Sequence, residues 1–126
     1  MHALLPTIPV VADPALAPIV AVLARARRRQ QQMLRAHCRA PGHRITAPEL
    51  AMTAGCRHVG YANRWYGQLG RDLFGLLPTR IDRWTAGGRP VFTTMLALDV
   101  TPTGAANRVW QIRPDIVRAA ELLGFI

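Results

Sequence analysis

The stretch ITAPELAMTAG (45–55), CRHVG (56–60), YANRWYGQLGRDLFGLL (61–77) decides how the rest of the chain is read. Thr46 is a side-chain N-cap, with Pro48 in the first turn and Glu49 three residues on completing a capping box. Leu50, Ala51 and Ala54 fall on one face, and Gly55 ends the short helix in the left-handed conformation glycine takes there. Small residues followed by a glycine turn let a second helix cross closely, as a helix-turn-helix requires. In that second helix Ala62, Tyr66, Leu69, Leu73 and Leu76 step by 4, 3, 4 and 3, an unbroken inward stripe. The opposite face runs through Arg64, Gln68, Arg71 and Gly75, with Asn63 and Gly67 alongside and Trp65 at the edge. Glycine at 67 and 70 lowers helix propensity by up to about 1 kcal/mol each relative to alanine. Close approach of another backbone, from protein or nucleic acid, is the expected reason for them.

Upstream, residues 1–12 read as an extended arm, since Pro6 and Pro9 deny a helix. Asp13 offers an N-cap and Pro14 a first helical position, and a long helix is expected over 14–38, with Pro18 allowing a slightly later start. Its apolar stripe (Leu16, Ile19, Val20, Leu23, Ala26, Met33, Leu34) thins at Arg27 and Gln30. Arg25, Arg27, Arg28 and Arg29 form either a phosphate-tracking ridge or a solvated basic face. Pro41 and Gly42 end this helix, and Arg44 and Ile45 add a short extended piece. Downstream, 78–90 reads as a loop with the flexible pair Gly87–Gly88. A β-hairpin follows over 91–112, with a turn at TPTGAAN and Arg108 at its edge. A closing helix over 114–123 opens on Pro114 and Asp115, turns Ile116, Ala120 and Leu123 inward, and ends at Gly124, with Phe125 and Ile126 folding back on the core.

The whole is expected to be one domain over 13–126, mainly α with a small β-hairpin and therefore α+β. Half of the 126 residues are hydrophobic, enough for a core. Sixteen arginines stand against seven carboxylates, a net charge of +9, and no lysine occurs. Arginine's planar fork suits bidentate contacts to phosphate and guanine edges. Two cysteines give no disulfide framework, so a reduced cytoplasmic setting is expected. The apolar run 3–24 is broken by prolines and followed by its arginines, the wrong order for a secretory signal or membrane span, so no membrane partner is expected.

Catalytic constellations are hard to find. The chain has no serine, the carboxylates of Asp72 and Asp82 are loosely spaced, and TAGGRP (85–90) lacks the strand-to-helix context of a phosphate cradle. Cys38, His43, Cys56 and His58 fall within 21 residues, but Cys-x4-His-x12-Cys-x-His is not a common zinc framework. No metal, cofactor or enzymatic activity is expected.

The order helix, helix-turn-helix, two-stranded hairpin, closing helix resembles a winged helix with a long basic helix in front. Ile45–Thr46, Glu49–Leu50–Ala51, Gly55, Ala62–Asn63, Gly67 and Leu69–Gly70 also resemble the DNA-binding part of alkyltransferase-like proteins over about 30 residues. The reactive Pro-Cys-His-Arg segment of active alkyltransferases is absent, so the resemblance implies DNA docking by Asn63, Arg64, Gln68 and Arg71 without alkyl transfer. The expected function is duplex DNA binding, with helix 61–77 in the major groove. Arg57 and His58 at the turn, Arg108 on the wing, and Arg25, Arg28 and Arg29 would lie along phosphates. A homodimer through helix 14–38 fits the half-site habit of such binders. The alternative is a small inhibitor or adaptor of phage type, setting its basic face on an acidic or nucleic-acid-binding protein surface.

Overall fold

The computed structural model describes residues 11–126. The arm expected over 1–12 therefore lies outside the described residues except at its end, where Val11 packs against the core. The fold is α+β. Among the described residues five helices, α1 (Ala17–Leu23), α2 (Arg28–Arg39), α3 (Ala47–Thr53), α4 (Gly60–Leu76) and α5 (Pro114–Leu122), surround a small antiparallel sheet. Its strands are β1 (Arg44–Thr46), β2 (Ala97–Asp99) and β3 (Val109–Ile112), in the order β1-β3-β2.

The single helix expected over 14–38 is two. Asp13 caps its own turn, its Oδ1 accepting from the Ala15 amide at 2.9 Å, and α1 begins four residues later with Pro18 in its first turn. The chain then breaks at 24–27, and α2 restarts from an extended Arg27. The break follows from side chains the stripe could not absorb. A continuous helix would carry Arg27 and Gln30 past the buried face. Instead Gln30 is buried and turns back as a cap, its Oε1 accepting from the Arg27 amide at 2.7 Å. Arg25, Arg27, Arg28 and Arg29 are thereby all left exposed. Ile19, Val20 and Leu23 of α1 are buried in the chain's own core against α4 and α5. These apolar side chains of the stripe are thus taken up within the chain's own core.

The two helices expected over 45–77 form as α3 and α4, joined by a turn at 54–59. Thr46 Oγ1 accepts from the Glu49 amide at 3.3 Å as the expected N-cap, but the Glu49 carboxylate accepts from the Thr46 hydroxyl at 2.7 Å and not from its amide, so the expected capping box closes on one side only. Gly55 takes φ +75° at the turn. Ala62, Tyr66, Leu69 and Leu73 are buried as the stripe requires, but Leu76 is 57 % exposed. There the helix ends and Leu77 turns in its place, donating its amide to Leu73 O.

The hairpin is shorter than 91–112. Phe92–Met95 is a 3₁₀ turn, because the Thr94 hydroxyl donates to Val91 O at 2.7 Å and accepts from the Asp82 amide at 3.3 Å, bonds that compete with strand pairing. The two-residue extended piece before the motif becomes a true strand. β1 pairs with β3, Ile45 opposite Trp110, so the sheet ties the motif's first residues to the returning limb of the hairpin. Gly70 lets the 3₁₀ turn pack on α4, since a Cβ there would lie 1.9 Å from Phe92 O. At the C-terminus Phe125 returns toward the core, while Ile126 stays 37 % exposed.

One polar chain crosses the core. His37 of α2 is fully buried, with Nε2 2.8 Å from Trp110 O and Nδ1 2.8 Å from the Tyr66 hydroxyl. A carbonyl only accepts, so Nε2 carries the proton and Nδ1 accepts from Tyr66. Burial lowers the His37 pKa to about 4, opposed by the bond to the Trp110 carbonyl and reinforced by the nearby His43 charge. A second proton on Nδ1 would face the Tyr66 hydroxyl and force its hydrogen elsewhere. With its pKa depressed, His37 contributes stability that is present above its unfolded value near 6.5 and is lost as pH falls toward 4. The loss is about 3 kcal/mol across that window. Asp99 and Asp115, whose carboxyls are held below the usual range, add a separate limb at still lower pH. Urea unfolding at stepped pH values checks this, and an unfolding free energy unchanged between pH 7 and pH 4 would contradict it. His37→Gln is expected to flatten that limb.

Candidate functional site

Helix α4 presents its outer face along Arg64, Gly67 and Arg71. Both arginines are exposed, and a Cβ on Gly67 would meet nothing within 4 Å. The two glycines that depress helix propensity thus have different explanations. Gly70 answers a contact inside the molecule; Gly67 answers none among the described residues. Asn63 is exposed on the flank that faces the hairpin. Gln68 does not stand free as expected. It is half-buried, with Gln30 Nε2 3.5 Å from its Oε1, and so faces α2. Arg71 lies over the Phe92 ring, its Cζ 5.3 Å from the centroid, so the guanidinium itself rests on the aromatic face while the residue stays exposed.

The basic segment at the start of α2 meets α4 through Trp65. Arg27 and Arg64, from different elements, lie 6.0 and 5.9 Å from the Trp65 ring centroid. Gln30 Nε2 donates to Trp65 O at 3.2 Å and fixes the two helices at this crossing. Arg29 donates to Cys56 Sγ at 2.9 Å, so the ridge reaches the turn of the motif, where Arg57 and His58 are exposed. Arg25 is exposed in the break itself, and Arg28 on the first turn of α2. The break therefore sets the ridge beside the front of α4.

The other flank of α4 faces two hairpins. In the expected one, between β2 and β3, Arg108 forms an ion pair with Asp99 at 3.2 Å. Asp99 also accepts from the Thr101 hydroxyl and amide and lies 3.9 Å from Arg83. Its pKa is lowered, first by the Thr101 hydroxyl, against the opposing effect of burial, and then by the Thr101 amide, Arg108 and Arg83. The second hairpin occupies the supposed loop 78–90. Val91 donates to Arg83 O at 2.9 Å and Thr85 to Arg89 O at 2.8 Å, with Trp84 bridged to Pro90 and Gly88 at φ +79° in the turn. The two hairpins and the starts of α3 and α4 enclose a cleft of about 510 Å³ whose walls include Asn63, Arg83, Asp99 and Arg108. Arg83 and Arg89 escaped the sequence reading. The available signal was a glycine pair bounded by Trp84 and Pro90, the mark of a tight turn between short extended limbs.

Among the described residues the ion pairs of arginine are those of Arg80, Arg83 and Arg108; Arg28, Arg57, Arg64 and Arg71 form none. The arginines of α4 and of the motif's turn thus stand without ion pairs, although α4 also carries the exposed Asp72 beside Arg71. Cys38 is buried and its thiol pushed up to about 11, chiefly by desolvation, which keeps it from the reactive thiolate form. Cys38, His43, Cys56 and His58 are not drawn together, and among the described residues no group of three or more such side chains could hold a metal. Among the same residues no helix is long and apolar enough to cross a membrane. Compared with protein-family models, curated proteins and solved structures, the chain matches none.

The contrast between the glycines is measurable. Gly70→Ala is expected to destabilise the fold by about 1–3 kcal/mol through overpacking against Phe92. Gly67→Ala is expected to stabilise it by up to about 1 kcal/mol through helix propensity. Chemical denaturation of both variants checks this; equal effects of the same sign would contradict it.

Proposed function

We propose that this chain is a winged-helix protein that binds duplex DNA with α4 as its recognition helix. The observation that carries this is the outer face of α4, where exposed Arg64 and Arg71 flank a glycine with open space above it. Guanidinium forks supply bidentate contacts to guanine edges and phosphates, and Gly67 lets a sugar-phosphate backbone or groove wall approach the helix itself. Arg27, Arg28, Arg29 and Arg57 then track one strand on the α2 side, and Arg108 approaches the other from the wing. The pairing of β1 with β3 supports the winged-helix assignment, because it anchors the wing to the start of the motif. Asn63 points to the cleft between α4 and the wing, a place for a base edge or a bridging water. Gln68 is reassigned as a positioning residue that holds α4 on α2. The resemblance to alkyltransferase-like proteins carries over as DNA docking alone.

A second reading draws on Met52, Val59 and Tyr61, exposed apolar side chains around the turn of the motif. They have more to bury against a protein surface than against a phosphate backbone, and with the neighbouring arginines meeting that surface's carboxylates they would make the chain an inhibitor or adaptor.

Fluorescence anisotropy with a labelled random duplex separates the two. Arg64→Ala and Arg71→Ala are each expected to weaken binding by about 1–3 kcal/mol. Affinity is expected to fall steeply as salt rises, since each neutralised phosphate releases a counterion. Binding that stays level from low to moderate salt, or that ignores both substitutions, excludes DNA recognition by α4.

A further inference from the structure

The hairpin formed by residues 83–91 holds a side chain that neither the core nor the outer face of α4 explains. Trp84 is 52 % exposed, whereas Trp110 is buried and Trp65 half-buried. It is not loosely held. Backbone bonds close the hairpin on either side of it, and one edge of the indole packs T-shaped on Phe74, centroids 6.1 Å apart and planes at 80°. Phe74 packs in the same way on Phe92, the ring beneath Arg71. An aromatic row therefore runs from the outer face of α4 to a fixed indole. Because side chains alternate across an extended limb, Arg83 and Arg89 lie on the face of the hairpin opposite Trp84. Arg83 is shared with Asp99, 3.9 Å away, whereas Arg89 and Arg71 form no ion pair among the described residues.

An indole offers a partner one N–H donor and a flat π face. That inventory cannot read base edges in a groove, where discrimination rests on paired donors and acceptors. Its face can stack on a nucleobase, but inside a duplex the faces of the bases are covered by their neighbours. An unpaired base has a free face, and guanidinium groups close by hold its phosphates. We propose that Trp84 is a stacking platform for an unpaired base of nucleic acid whose duplex part lies on α4, so that the chain prefers a duplex carrying a single-stranded tail to a blunt one. The inference rests on the DNA-binding function proposed above and names the part of the ligand that the second hairpin takes. Phe74 stands one helical turn beyond Arg71, which places the platform where a strand would leave the C-terminal half of α4.

The test compares a blunt duplex with the same duplex bearing a short unpaired thymidine tail at its 3′ or 5′ end, by anisotropy at one fixed salt concentration. Wild-type protein is expected to bind one of the tailed duplexes about tenfold more tightly, the lower part of the range for stacking one base on an aromatic side chain. Trp84→Ala is expected to abolish that gain and leave blunt-duplex affinity unchanged, while Trp84→Phe retains most of it. Thermal unfolding of both variants separates loss of stacking from loss of the hairpin. Equal affinity of the wild type for blunt and tailed duplexes overturns the platform, as does a Trp84→Ala variant of wild-type stability that keeps the gain. In either case tight binding of the blunt duplex leaves recognition by α4 standing. Failure of the wild type to bind any duplex overturns both.

Discussion

His37 is the joint on which the arrangement depends. Its imidazole takes one bond from Tyr66 on the outward-facing helix and gives one to Trp110 on the central strand, from a third element, α2. The rings of His37 and Tyr66 stack nearly parallel, at 5.8 Å and 6°, and Tyr66 stacks in turn on Trp110 at 6.0 Å. In a buried setting such a chain holds only if every member is satisfied, and here the neutral imidazole satisfies both neighbours at once. Its directionality sets the rotation of α4 about its own axis relative to the sheet. That rotation decides which residues of α4 meet solvent.

Much of this was legible in the sequence, for reasons visible residue by residue. The N-cap of Thr46 over Glu49, the glycine turn at Gly55 and the stripe from Ala62 to Leu73 are local signals, each step set by groups within four residues of one another. What escaped depended on distant partners. Gln30 interrupts an apolar stripe and reads as surface, yet its amide caps α2 and grips Trp65, a residue 35 positions away. The segment 91–100 is β-branched enough to read as a strand, but Thr94 spends its hydroxyl on the local backbone and bends it into a 3₁₀ turn. Gln68 shares the outward period of Arg64 and Arg71, and only the position of α2 shows that it is covered. Of the candidate site, Asn63, Arg64 and Arg71 were legible from helical spacing; Arg83, Trp84 and Arg89 were not, because a nine-residue hairpin has too few residues to show a period.

The charge of the molecule is organised by where its few carboxylates lie. Asp115 is held by Arg80 at 2.5 Å near the base of α5, and Asp99 by two arginines between the hairpins. The outer face of α4 and the turn before it receive no such partner. Three arginines at the first turn of α2, at the positive end of its dipole, repel one another and the helix amides. An anion placed there relieves both strains, so the ridge and the unpaired arginines of α4 favour the same kind of partner from two sides.

The roots of the hairpin between β2 and β3 are fastened independently of its tip. β3 is paired on both edges, the Ala47 amide donates to Arg108 O, and the Thr101 hydroxyl accepts from the Val109 amide while donating to Asp99. The tip from 102 to 107 is exposed throughout and is joined to itself by one backbone bond, from Ala105 to Pro102. Its length and sequence are thus uncoupled from the stability of the fold. Descendants of this chain could lengthen, shorten or recharge the tip without disturbing the helices, a route by which one scaffold acquires different targets while its core stays the same.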